Sequence, residues 1–215
     1  MKKQLTLVFG AVGLLLLIDQ AIKIYIKSNF VADEEVSIFG DWFVLHYIEN
    51  QGMAFGTTFG SSIWGKFFLS LFRVAAIIVI TYYIYREAIR IVKTEYLIVL
   101  GLILAGATGN LFDSLFYDLF FEFNPCEHFN QLPGSGIKMK CSDYGFIHEV
   151  EVRQKGFMFG NVVDMFQFNV TWPGWVPGVG GGQIFPAIWN FADSCITVGV
   201  TWMIIRSKTF FPKVK

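Results

Sequence analysis

The amino-acid sequence predicts an integral membrane protein with an all-α core of four transmembrane helices and a polar site near one membrane face. Three observations carry this expectation. Of 215 residues, 54% are hydrophobic and only 16% are charged, against about 25% charged in ordinary soluble domains, and the mean hydropathy is +0.51. Four apolar segments, at about 5–26, 67–85, 96–115 and 184–205, each approach the ~20 residues that carry a helix across ~30 Å of hydrocarbon. The basic residues are uneven. With both termini in the cytoplasm, Lys2, Lys3, Arg86, Arg90, Lys93, Arg206, Lys208, Lys213 and Lys215 all lie there, accompanied only by Glu87 and Glu95, as the positive-inside rule favours. The stretches at about 27–66 and 116–183 are then outer loops, and residues 1–215 form a single domain. A formal net charge of zero does not point to an electrostatic attraction to nucleic acid.

In chain order, the opening Met-Lys-Lys and apolar run resemble a signal peptide. No small-x-small cleavage site follows, and the run continues through Asp19 and Lys23, so it is read as a retained first helix. Asp19 and Lys23, four apart, share a face and are expected to form a buried ion pair that fixes helix packing. The β-branched and aromatic residues of Val36–Ile48, interrupted by Gly40-Asp41, predict a short hairpin. His46 has no second metal ligand at helical spacing. Thr57–Gly65, small and polar with two aromatics, is expected to lie along the membrane surface as a short helix. In the third span, the small residues at 105–109 permit close helix packing, and Asn110 and Asp113 share a face.

Between Tyr117 and Phe159, Pro125, Pro133, Gly134 and Gly136 predict loop structure. Cys126 and Cys141 in this segment are open to three readings. They could close a disulfide, remain free thiols, or bind zinc with Glu127, His128 and His148, although the paired spacing of a zinc site is missing. The glycine-rich run Gly174–Gly182 reads as a flexible tether.

The polar site is centred on Asp193, which lies inside the fourth apolar segment with no other charge before Arg206. A carboxylate in hydrocarbon costs about 2.5–3.5 kcal/mol on insertion scales, so it marks a functional position. Asp164 lies 29 positions upstream (193 − 164), where the chain can fold back over the end of that segment. Two carboxyls that meet can share a proton, one acting as base and the other as acid. Asp19, Arg73, Asn110, Asp113, Asn190 and Asp193 all fall in the outer part of their spans, which points to one polar layer.

Five stretches in order carry a resemblance: Asp19-Gln20-x-x-Lys23, Asn50-x-Gly52-x-Ala54-Phe55-Gly56, Gly106-x-x-Gly109-Asn110-Leu111-x-Asp113, Val162-Val163-Asp164 and Asn190-x-Ala192-Asp193-Ser194. They resemble the motifs of bacterial lipoprotein signal peptidase (signal peptidase II). The resemblance implies a four-helix membrane aspartyl protease with a small extracytoplasmic β-sheet cradle. Such an enzyme sits in the bacterial cytoplasmic (inner) membrane with its site at the outer face. It removes the signal peptide of diacylglyceryl-modified prolipoproteins, cutting before the lipidated cysteine with a water activated by two aspartates. Asp164 and Asp193 match the catalytic pair. Asn50, Gly106, Asn110, Asp113, Asn190 and Ala192 match substrate-binding or supporting positions, and Asp19 and Lys23 match a structural motif. No metal, cofactor or nucleic acid is implied; the partners are the prolipoprotein and membrane lipid, and a monomer is the default. Ser194 has no histidine near it in sequence to activate it.

Two departures from that pattern stand out. Ser114 occupies the place after Asp113 where the family usually has arginine, and Arg73 is expected to supply the missing cation. The 117–159 segment is longer than the usual connection. Two other classes of function compete with the peptidase: a proton or ion transporter relaying through Asp19, Asp113 and Asp193, and a non-catalytic membrane assembly protein. A four-span chain shows no internal repeat of the transporter kind.

Overall fold

The computed structural model of the protein describes residues 1–51, 63–90, 92–143 and 145–211. Among the described residues, three helices are long and apolar enough to cross a membrane: α1 (Lys2–Asn29), α2 (Ile63–Ile89) and α3 (Thr94–Phe120). Of the most apolar window of α3, 67% is buried, against 17% for α1 and 11% for α2, so α3 is the helix the others pack around. Glycines set how closely they approach. A Cβ on Gly101 of α3 would lie 3.1 Å from Val8 of α1, and one on Gly106 would strike the Ala192 carbonyl oxygen. Val8, Val12, Ile84, Leu97 and Leu104 form the apolar core among α1, α2 and α3.

The fourth apolar segment is helical only in part. Helix α4 (Phe191–Ile205) has 15 residues, about 22 Å of rise, and is followed by the short α5 (Ser207–Phe210). Residues 184–190, expected at the start of a span, are non-helical. Asn190 caps the helix with its side chain, and an N-cap residue holds extended rather than helical backbone.

The predicted hairpin forms as β1 (Glu35–Phe39) and β2 (Phe43–Asn50), turning through Gly40 at φ +52°. It belongs to a four-stranded antiparallel sheet of order β1-β2-β5-β6, with β5 (Val162–Phe168) and β6 (Ile188–Trp189). The register pairs Leu45 with Phe166 and, beyond a bulge, Ile48 with Asp164. Val163 and Met165 of β5 are buried with Ile26, Tyr47 and Tyr117, which docks one face of the sheet on α1 and α3. Asp164 therefore points to the other face.

The 117–159 segment departs from the loop expectation. It contains a second hairpin, β3 (Lys138–Asp143) and β4 (Phe146–Glu151), and Cys126 and Cys141 are joined in a disulfide. The disulfide removes both thiols from the zinc reading. The hairpin was illegible because β4 is exposed along most of its length on both faces and carries no apolar alternation. Arg153 fixes the insertion to the end of α3 through two 2.8 Å hydrogen bonds to Asp118. The glycine-rich run is likewise ordered: Trp172 N donates to Gly182 O and Ile184 N to Val170 O. Of the surface helix expected at Thr57–Gly65, residues 57–62 lie outside the described residues and 63–65 open α2. Gly52–Gly56, Lys213 and Lys215 also lie outside them.

Candidate active site

The site is built on the first turn of α4. Asn190 Oδ1 accepts from Asp193 N at 2.9 Å, and Asp193 Oδ2 accepts from Asn190 N at 3.3 Å. This reciprocal capping box satisfies free donors of the first turn and places a carboxylate at the positive end of the helix. The spacing Asn-x-x-Asp thus fixes Asp193 locally. The amide of Asn190 faces the other way: Nδ2 donates to Asp164 Oδ1 at 2.6 Å and to Asn110 Oδ1 at 3.1 Å. Asn110 Nδ2 in turn donates to Asp193 Oδ1 at 2.8 Å. The two aspartates, from a strand and a helix, are therefore spanned by two asparagines from α4's cap and α3. Asn50, at the end of β2, donates to the remaining oxygen of Asp164.

A charged layer supports this arrangement. Lys23 is fully buried and donates to Asp113 at 2.8 Å, Asp19 at 3.1 Å and Asn110 Oδ1 at 2.9 Å. A buried ammonium is tolerated when all its protons find acceptors, and here they do. Asp19 Oδ1 accepts from Ala192 N at 2.9 Å, taking up another unpaired donor of α4. Asp113 Oδ1 accepts from Gln20 at 2.9 Å, and its Oδ2 accepts from Val163 N, beside Asp164, at 3.4 Å. Gly109 has no room for a side chain, since a Cβ would sit 2.5 Å from Asp19 Oδ2.

Asp164 is buried, whereas Asp193 is partly exposed. Burial first, and the charge of Asp193 second, push the Asp164 carboxyl well above the usual carboxylate range, while Lys23 and the Asn190 amide pull the other way. Two carboxyls bridged by shared amides, one of them inclined to keep its proton, have the chemistry an acid and a base require.

Comparison with known proteins decides the family. Residues 11–209 match the profile described as signal peptidase (SPase) II. The chain belongs to the signal peptidase II family. The lipoprotein signal peptidase of Porphyromonas gingivalis is 35% identical over 207 residues, covering 92% of this chain and 81% of that protein. Its counterpart in Desulfitobacterium hafniense is 31% identical over 201 residues, 93% and 91% of the two chains. A solved bacterial membrane enzyme shares the fold, with a TM-score of 0.58 at 19% identity over 97% of this chain and 93% of its own. The protein is thus a multi-pass membrane peptidase of this family, which sets aside the transport and assembly readings.

In this peptidase, Asn50, Asn110, Asp113, Asp164, Asn190 and Asp193 form one hydrogen-bonded cluster with Asp19 and Lys23, and Gly106 and Ala192 are the backbone contact that lets α3 and α4 meet. Lys23, on the face of α1 turned to α3, pairs directly with Asp113 at 2.8 Å. Arg73 also interacts electrostatically with Asp193, Asp113 and Asp164, and its Nη1 reaches Ser114 Oγ at 3.3 Å, as does Lys66 Nζ. Gln20 and Tyr117 were missed. Gln20 Nε2 donates to Asp19 Oδ2 at 3.0 Å and Asp113 Oδ1 at 2.9 Å while its Oε1 accepts from Tyr117 at 3.0 Å, so one amide ties both carboxylates to α3. Its place beside Asp19 in the first motif was the available signal.

Proposed function

We propose that this peptidase removes the signal peptide from lipid-modified prolipoproteins, cutting before the lipidated cysteine, with Asp164 and Asp193 as its catalytic residues. The observation that carries the proposal is the chain Asp164–Asn190–Asn110–Asp193, which holds two carboxyls together at one end of the helices. Asp164, held above the usual range by burial and by Asp193, keeps the shared proton. Asp193, more accessible to water, takes a proton from water as its oxygen attacks the scissile carbonyl carbon. Asp164 then gives its proton to the amide nitrogen as the C–N bond breaks. A proton passing from Asp193 to Asp164 restores the starting state. Asn110 and Asn190 orient the carboxyls, Lys23 balances Asp19 and Asp113, and no step calls on a metal ion.

The single domain has four spans, with α4 and α5 completing the fourth, and both termini on the cytoplasmic side. The basic residues Lys2, Lys3, Arg86, Arg90, Lys93 and Arg206 support that orientation. It puts the dyad and the sheet at the outer face of the cytoplasmic membrane, where a substrate's acyl chains stay in lipid while its peptide enters the cleft. The purified protein is expected to cleave a diacylglyceryl-modified prolipoprotein in the presence of a chelator. The folded Asp193→Asn variant is expected to lose about 10²–10⁴-fold in kcat, as removal of an acid–base group does. Equal cleavage by parent and variant would refute the dyad.

A further inference from the structure

Between Asp164 and Asp193 the chain contains no Asp, Glu, Lys, Arg or His. Most of this stretch is the β5–β6 connection, which folds back on itself as an ordered extension of the hairpin. Ile184 N donates to Val170 O at 2.7 Å, Trp172 N to Gly182 O at 2.8 Å and Gly181 N to Trp172 O at 3.0 Å, while Gly180 N closes an inner turn on Val176 O. Gly178 and Gly181 hold positive φ, so the turn is built rather than slack. What it presents is apolar. Trp175 at the tip is 81% exposed, and Trp172, Val179, Ile184 and Phe185 are exposed beside it.

The insertion at the same end of the molecule is a contrast. Its hairpin exposes Lys138, Lys140 and Glu149 among Met139, Phe146 and Ile147, a surface of mixed charged and apolar side chains. The β5–β6 loop instead runs without a charge into α4, whose exposed Val198, Trp202 and Ile205 continue the surface that the helices turn to lipid. Tryptophan and flanking aliphatics concentrate at the boundary between headgroups and acyl chains, where an apolar ring body and a polar N–H are both accommodated. Ordered turns leave few backbone groups unpaired there.

We infer that the β5–β6 loop is an interfacial anchor: Trp172, Trp175 and Val179 immerse in the headgroup–acyl boundary of the leaflet at the dyad end, with bilayer lipid as the partner. The anchor sits on the strand that carries Asp164, so it holds one wall of the cleft at the depth of the membrane surface. The inference rests on membrane insertion and is independent of the chemistry assigned to the aspartates.

Site-directed spin labelling tests it. Among the described residues Cys195 is the free thiol, and it is buried, so Trp175→Cys, Val179→Cys and Lys138→Cys can each be labelled with a nitroxide, with the parent as background. The labelled full chains are placed in phosphatidylcholine–phosphatidylglycerol vesicles, and collision with oxygen is compared with collision with a water-soluble nickel chelate. Labels at 175 and 179 are expected to favour oxygen, and the label at 138 to favour nickel. Nickel accessibility at 175 and 179 equal to that at 138 overturns the inference. Exclusion of both probes also overturns it, because it marks a protein contact in place of lipid. Parent-like circular dichroism of each labelled chain secures the comparison.

Discussion

Replacing Asn190 by Ala removes three hydrogen bonds at once: those to Asp193 N, Asp164 Oδ1 and Asn110 Oδ1. The first belongs to the helix cap and is expected to cost about 1 kcal/mol of stability. Loss of the second leaves an oxygen of a buried carboxyl without that donor, at a cost of about 1–3 kcal/mol. If that bond is needed to hold the dyad in its reactive geometry, kcat falls by about 10–100-fold. The pH dependence also has a definite sign. A donor to Asp164 favours its ionised form, so losing the donor raises a pKa that is already raised, and the shared proton is held to higher pH. The alkaline limb of the kcat profile therefore moves upward in Asn190→Ala. Asn190→Ser separates the two effects, because serine caps a helix about as well as asparagine but is too short to reach Asp164. It should recover thermal stability in detergent while leaving kcat low and the limb displaced. An alkaline limb that stays in place or moves down, with kcat within about twofold of the parent, would refute the reasoning.

Four further outcomes are expected. Lys23→Met strands the buried carboxylates of Asp19 and Asp113 and should lower unfolding free energy by about 3–5 kcal/mol, read by thermal unfolding in detergent. Gly106→Ala drives a Cβ into the Ala192 carbonyl and should cost about 1–3 kcal/mol. Gly10→Ala, where nothing lies within 4 Å, should instead stabilise α1 by up to about 1 kcal/mol. Cys126→Ser opens a cross-link spanning 15 residues, worth about 3 kcal/mol to the insertion. Limited trypsin digestion should then cut at Lys138 and Lys140 sooner, with the helices left intact.

Much of the fold was legible because its signals are local. Three of the four apolar segments appear as long helices, since hydropathy over ~20 residues is a property of the segment itself. The β1–β2 hairpin was readable from β-branched and aromatic residues around Gly40-Asp41. Asp193 stood out because a charge in an apolar run is costly wherever the run is placed. Other features were hidden for equally physical reasons. The start of α4 moved to Phe191 because a capping interaction at Asn190 outweighs a hydropathy that continues upstream to Ile184. The β3–β4 hairpin carries no alternation, and the order of the β5–β6 loop comes from backbone bonds, to which side-chain composition is blind.

By itself, the sequence determined the membrane class, the apolar segments and the order of the polar residues along the chain. Tertiary structure alone decided the pairings across the chain: Lys23 with Asp113, Asn190 with Asp164, and Arg153 with Asp118. These partners are 26 to 90 positions apart (190 − 164 and 113 − 23). A side chain's partner at such a range depends on which helix faces meet and how closely glycines let them approach, and no local pattern encodes that.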